Sequence, residues 1–160
     1  MIRRLKPNDH LSILSVINDA SQAYNGVIPE DQWRKPYMSI EELKEEIKNG
    51  IDFYGWVESN VLVGVMGIQQ VNEVTLIRHA YVLSKRQRSG IGGKLLRYLL
   101  NLAQTSEILV GTWETAHWAI RFYEKHGFKL TSREETDKLL SKHWNIPERQ
   151  IETSIVLKLF

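Results

Sequence analysis

The chain has 160 residues, 42% of them hydrophobic and 25% charged, with a formal net charge of +2. That length fits one domain around a single core, and the whole chain is expected to fold as one unit. The charge is too small and too dispersed to argue for nucleic acid, and the absence of cysteine excludes disulfides, thiol nucleophiles and thiolate metal sites.

"MIRRLK" alternates apolar and cationic residues and predicts a short strand, with no apolar leader in it. No apolar run approaches membrane-spanning length, so a cytoplasmic protein without a membrane partner is expected. Asn8 or Asp9 could cap a helix through "LSILSVINDASQAY", with Leu11, Leu14, Ile17 and Ala20 on one face and Asn25-Gly26 as its stop. "VIPEDQWRKPYM" reads as a loop. Ser39 and Glu42 then have capping-box spacing and open a helix that ends at Gly50. "DFYGWVES", "VLVGVMGIQQV" and "VTLIRHAYVL" predict an antiparallel meander of three strands. "GGKLLRYLLNLAQ" has helical spacing, "EILVGTW" reads as a buried strand, and "TAHWAIRFYEKHGF" as a helix stopped by Gly127. "KLTS" and "QIETSIVLKLF" are expected as closing strands, with "REETDKLLSKHWNIPER" irregular between them. The class is α+β, or mixed α/β, without Rossmann alternation.

"KRQRSGIGGK", residues 85–94, sets three glycines among four cations between a strand and a helix. A P-loop fails because Leu95 follows Gly93-Lys94 and Arg88 stands where its first glycine belongs. A dinucleotide fingerprint fails because Leu95 also takes the place of its third glycine. Gln87, Gly90 and Gly92 satisfy Gln/Arg-x-x-Gly-x-Gly. Backbone N–H groups at such a helix start can form an anion nest, with Arg88 and Lys94 adding charge. Alone, the pattern fits a glycine-rich turn with solvated cations equally well.

The run "HAYVLSKRQRSGIGGKLLRYLL" resembles the coenzyme A-binding segment of the GNAT superfamily of acyl-CoA-dependent N-acyltransferases. "AHWAIRFYEKHGFKL" is similar to that superfamily's second signature, and the two stand in the expected order. The resemblance implies a mostly antiparallel twisted sheet that splays at the cofactor and is flanked by helices. It implies that the nest from Arg88 through Ser89, Gly90, Ile91 and Gly92 to Gly93 cradles the pyrophosphate of acetyl-CoA, with Gln87 leading the motif and Lys94 adding charge. Pantetheine would lie along Ala80, Tyr81 and Val82, and a backbone N–H there would polarise the thioester carbonyl. Tyr123 matches the tyrosine that protonates the departing thiolate in many relatives; a mid-helix Phe-Tyr pair can also simply pack. Ala116 stands where many relatives have an asparagine. Relatives are often homodimers, but no residue here identifies an interface.

The positions where relatives carry a general base hold Leu76 and Arg78. His79 is adjacent, but strand alternation predicts that it faces the other way. Glu73, Glu114 and His117, relayed through water, remain as alternatives, each also an ordinary surface residue, or the amine could lose its proton to solvent. Tyr24, Trp33 and Tyr37, with Trp144 from the C-terminal segment, are expected to wall the acceptor site, or to pin loops. Arg78 would favour an acceptor bearing a carboxylate or phosphate, or else ion-pair with a neighbouring strand. The expected activity is direct, metal-free acetyl transfer from acetyl-CoA to a primary amine of a small molecule or peptide. The alternative is a non-catalytic acyl-CoA-binding sensor module.

Overall fold

The computed structural model describes residues 1–160. In chain order the elements are β1 (Ile2–Arg4), α1 (His10–Ala20), α2 (Ile40–Lys48), β2 (Asp52–Glu58), β3 (Val61–Val71), β4 (Val74–Val82), α3 (Ile91–Leu102), β5 (Glu107–Trp113), α4 (His117–Lys125), β6 (Lys129–Leu130), α5 (Arg133–His143), α6 (Glu148–Glu152) and β7 (Ser154–Leu159). Short 3₁₀ turns precede α1, extend its end to Tyr24, and interrupt the long α1–α2 loop at Glu30–Gln32.

One seven-stranded sheet runs in the order β1-β2-β3-β4-β5-β7-β6. Every neighbouring pair is antiparallel except β4 and β5, which are parallel. That parallel pair is short, from Val74↔Glu107 to Ile77↔Val110. Beyond it β4 continues to Val82 beside β3, and β5 continues to Trp113 beside β7, but neither pairs with the other. The sheet therefore opens into a V at its centre, as the family resemblance implied.

Each face of the sheet is covered. On one face α3 and α4 close over Met66, Ile77, Val110 and Leu157, with Leu95, Leu96 and Leu99 of α3 completely buried. Each such leucine contributes about 1.5–3 kcal/mol by leaving water. On the other face α1 and α2 cover the β2–β3 half through Ile13, Ile17 and Leu43, while α5 covers the β4–β5–β7 half through Leu140. The mouth of the V lies between these two coverings.

Two expectations are corrected. The segment read as irregular contains α5 and α6, and the strand expected from Gln150 begins at Ser154. Ser132 caps α5 by accepting a hydrogen bond from the Glu135 N–H at 3.1 Å, and Leu140 anchors it. Its mostly charged sequence hides the helical period. In α1 the buried face is Ile13, Val16, Ile17 and Ala20, and Leu11 is 75% exposed. The helix starts at His10, directly after Asp9, which closes a 3₁₀ turn at Pro7 and holds Arg3 through two 2.9 Å bonds.

Candidate active site

The loop from Gln87 to Gly93 joins the end of β4 to α3 at one end of the V. Arg88 (φ 64°) and Gly90 (φ 83°) are both left-handed, and Gly90 caps α3. Glycine is suited to that position because a side chain there would strain the backbone. None of the N–H groups from Gln87 through Gly93 is taken by a carbonyl of the protein; the first α3 bond runs from Lys94 N–H to Gly90 O. Left-handed kinks and a bare helix start aim these donors outward, which is the geometry of an anion nest.

The side chains around the nest do less than the sequence suggested. The Gln87 amide donates to Val82 O at 3.2 Å, and the Ser89 hydroxyl to Arg86 O at 2.5 Å, so both brace the loop. Arg86 is tied to Glu58 of β2 by bonds of 2.5 and 3.1 Å. The Lys94 ammonium lies 4.9 Å from the centre of the Trp56 ring and is not directed at the nest by any contact. Arg88 is exposed and forms no ion pair. Backbone donors with one free cation thus make up the nest.

Along the V, Ala80 and Val82 pack toward α3, and the Tyr81 ring packs on the α1–α2 side. Past Ile77 no backbone group of β4 is paired with β5. Tyr123, in α4, is only 6% exposed, its ring edge-on to Phe122 and Phe128 at 5.1 and 5.7 Å. Its hydroxyl bonds to no protein group. Burial, with Tyr24 nearby, pushes the phenol well above its ordinary value, so it holds its proton at neutral pH.

On the far side of the sheet the V opens into a cleft lined by Tyr24, Tyr37, Arg78, His79, Tyr81 and Trp144, among others. Tyr24 lies 5.5 Å from Tyr37, 6.3 Å from Tyr81 and 5.8 Å from Trp118. The Trp113 indole donates to the Tyr37 hydroxyl at 2.8 Å. Trp144 lies flush on β5 because Gly111 has no side chain; a Cβ there would meet the indole at 3.3 Å. Trp33 stands behind Tyr37, 5.8 Å from its ring, and does not reach the cleft.

Three of the alternatives for a base fall outside this cleft. Glu73 pairs with Lys142 at 3.1 Å, Glu114 with Arg133 at 3.2 Å, and His117 is exposed. Leu76 is buried against α5. The residue that sequence reasoning turned away is the one brought in. β4 carries an extra residue opposite β3: Gly67 pairs with Arg78 and Val65 with Tyr81. The bulge lies at His79, whose φ is 53°. Alternation is broken there, and His79 joins Arg78 on the cleft side. The His79 ring stacks on Phe53 at 5.9 Å, and its Nε2 contacts the Glu46 carboxylate of α2. Arg78 reaches Glu46 at 3.7 Å and Gln69 Oε1 at 3.4 Å. Burial pushes the Glu46 carboxyl up, but His79 and Arg78 outweigh it and hold it below its ordinary value. No group of three histidine or acidic residues is placed to hold a metal ion.

A model of the family described as acetyltransferase (GNAT) domain matches residues 16–142. Comparison with the sequences of curated proteins gives no match. Among solved structures, the PaiA N-acetyltransferase of Thermoplasma acidophilum, in complex with coenzyme A, superposes with a TM-score of 0.75 at 19% identity, over 99% of this chain and 96% of the other. The ribosomal-protein-S18-alanine N-acetyltransferase of Escherichia coli gives 0.72 at 16% identity, over 99% and 92%. The N-acetylglutamate synthase of Neisseria gonorrhoeae, complexed with coenzyme A and N-acetyl-glutamate, gives 0.68 at 19%, over 99% of this chain and 34% of the other. At these identities the likeness is one of fold. The family model spans well over half of the chain, its family uses acetyl-CoA, and the chain belongs to the GNAT acetyltransferases.

Proposed function

We propose that the protein transfers an acetyl group from acetyl-CoA directly to the primary amine of a small molecule or peptide bearing an anionic group. The observation that carries this reading is the V itself. One opening joins a bare N–H nest at the α3 start to an aromatic cleft on the opposite face, and a protonated, unbonded phenol stands beside it.

Acetyl-CoA supplies the activated acyl group. The nest residues Arg88–Gly93 hold its pyrophosphate through backbone N–H groups, aided by the dipole of α3. Ala80, Tyr81 and Val82 offer the unpaired edge of β4 to pantetheine, and an N–H on that edge stabilises the developing oxyanion. Tyr123, which burial keeps protonated at neutral pH, donates its proton to the departing sulfur. Tyr24 and Tyr37 wall the acceptor amine. Holding both reactants in one opening supplies much of the rate.

Arg78 sets the acceptor class. Its guanidinium is largely buried yet has only one long hydrogen bond and one long ion pair. A buried cation with unfilled donors is costly until an anion reaches it, so a carboxylate or phosphate near the acceptor amine fits there.

The test is release of free thiol from acetyl-CoA with a panel of amines, amino acids, their amides and short peptides. Turnover that favours acceptors with a free carboxylate or phosphate supports the reading. Tight coenzyme A binding with no turnover on any acceptor replaces it with a non-catalytic acyl-CoA-binding module.

A further inference from the structure

We infer that His79 is the general base for this acyl transfer, taking a proton from the acceptor ammonium through its Nδ1, and that Glu46 is its positioning residue. The inference rests on the acetyltransferase reading above and deepens it.

Three observations carry it. The bulge in β4 turns His79 out of its strand alternation and into the cleft, at the cost of a left-handed backbone at a residue with a side chain. A non-glycine residue in that region is uncommon, and such strain gathers at functional sites. Second, Nε2 of His79 and Oε2 of Glu46 are both buried from water and have no partner except each other. A carboxylate only accepts, so Nε2 carries the hydrogen. That leaves the lone pair on Nδ1. Third, no hydrogen bond of the protein uses Nδ1, and the ring, held flat against Phe53, borders the same cleft as Tyr24 and Tyr37.

The charged and titratable neighbours are few. Glu46 approaches from α2 and Arg78 from β4 itself, while Tyr24, Tyr37 and Tyr81 line the same cleft and stay neutral because burial raises their pKa values. Glu46 and Arg78 are thus the only two charged side chains that face the His79 ring. The Glu46 carboxylate orients the imidazole from behind, as a carboxylate behind a histidine does in hydrolytic triads.

The protons balance. An acceptor ammonium has three. One passes to Nδ1 and leaves to solvent when His79 resets. The freed lone pair forms the C–N bond as the C–S bond breaks. The second proton replaces the one that Tyr123 gives to the thiolate, and the third stays on the amide product.

The test compares wild type, His79→Gln and Glu46→Gln with two acceptors, one a strongly basic amine and one a weakly basic amine already neutral at pH 7. For the strongly basic acceptor, His79→Gln should lower kcat/KM about 10²-fold at pH 7. The deficit should shrink as pH rises toward the amine's own pKa, and it should be small throughout for the weakly basic acceptor. Glu46→Gln should lower kcat for the strongly basic acceptor by less than His79→Gln does, with the KM for acetyl-CoA unchanged. Without any turnover, ¹⁵N NMR of the imidazole should show the Nε2–H tautomer in wild type, and a mixture once Glu46 is replaced. Coenzyme A titration of each variant by calorimetry reports whether the site stays folded. Wild-type turnover with a pH-independent deficit in His79→Gln, equal for both acceptors, overturns the base and leaves the proposed function standing. No turnover by wild type on any acceptor overturns both. An Nδ1–H tautomer overturns the orienting role of Glu46.

Discussion

The two ends of the V are built from different material. At the α3 end the groups on offer are backbone N–H donors, bared by Arg88 and Gly90 in left-handed conformation. At the other end they are side chains, Arg78, His79, Tyr24 and Tyr37, gathered from distant segments by the sheet and its bulge. A backbone site needs particular residues in one short run, and substitution elsewhere leaves it intact. A side-chain site can change its residues while the fold stays, so under the proposed function one end would be shared across a family and the other would set the acceptor.

That contrast predicts distinct kinetic signatures. The largest effect belongs to the chemistry between the ends. Tyr123→Phe removes only a hydroxyl from a well-packed ring, and kcat should fall about 10²–10³-fold with little change in the KM for acetyl-CoA. Loss in KM alone would return Tyr123 to the core. Next is the backbone end. Gly90→Val forces a β-branched residue to φ 83°, and the KM for acetyl-CoA should rise about tenfold or more while the acceptor KM holds. A change confined to the acceptor KM would break the division of labour proposed for the two ends.

The side-chain end should respond selectively. Arg78→Gln should cost about 10- to 100-fold in kcat/KM for an acceptor with a free carboxylate, and much less for its amide. Equal losses for both would remove the anion from the acceptor's description. The smallest effect is expected at the tie behind the nest. Glu58, held by two bonds from Arg86 and a third from Trp56, has its carboxyl held down at about 2. A depressed carboxylate contributes stability above its unfolded pKa and loses it as pH falls from about 4.5 toward 2. Glu58→Gln should flatten part of the fall in melting temperature over that window. At neutral pH it should change the KM for acetyl-CoA by about twofold or less, since the pair is exposed.

Sequence legibility followed the same division. The nest was readable because glycine at Gly90 and Gly92 and a following amphipathic helix are local features. The meander was readable from three strand-like runs, whereas the splay came with the family resemblance, since residues 74–83 look alike whether or not both edges are paired. α5 was missed even though Ser132 and Glu135 have capping spacing, because charged residues dominate its turns and Leu140 is its only buried apolar residue. In the cleft, Arg78 lies on the side that the sequence reading allowed for, and His79, expected on the opposite face, joins it. No glycine or proline marks the bulge; it exists because β4 has one more residue than β3 between Arg78 and Tyr81. Trp33 was placed one shell too close, since sequence cannot say which of two stacked rings faces inward.

The most direct measurement is to follow acetylated amine and free thiol together, from acetyl-CoA and a carboxylate-bearing amine, for wild type and Tyr123→Phe. Direct transfer at the V predicts equal amounts of both products at every time, with both rates falling together in the variant. Thiol released without acetylated amine, or a variant as fast as wild type, would contradict it.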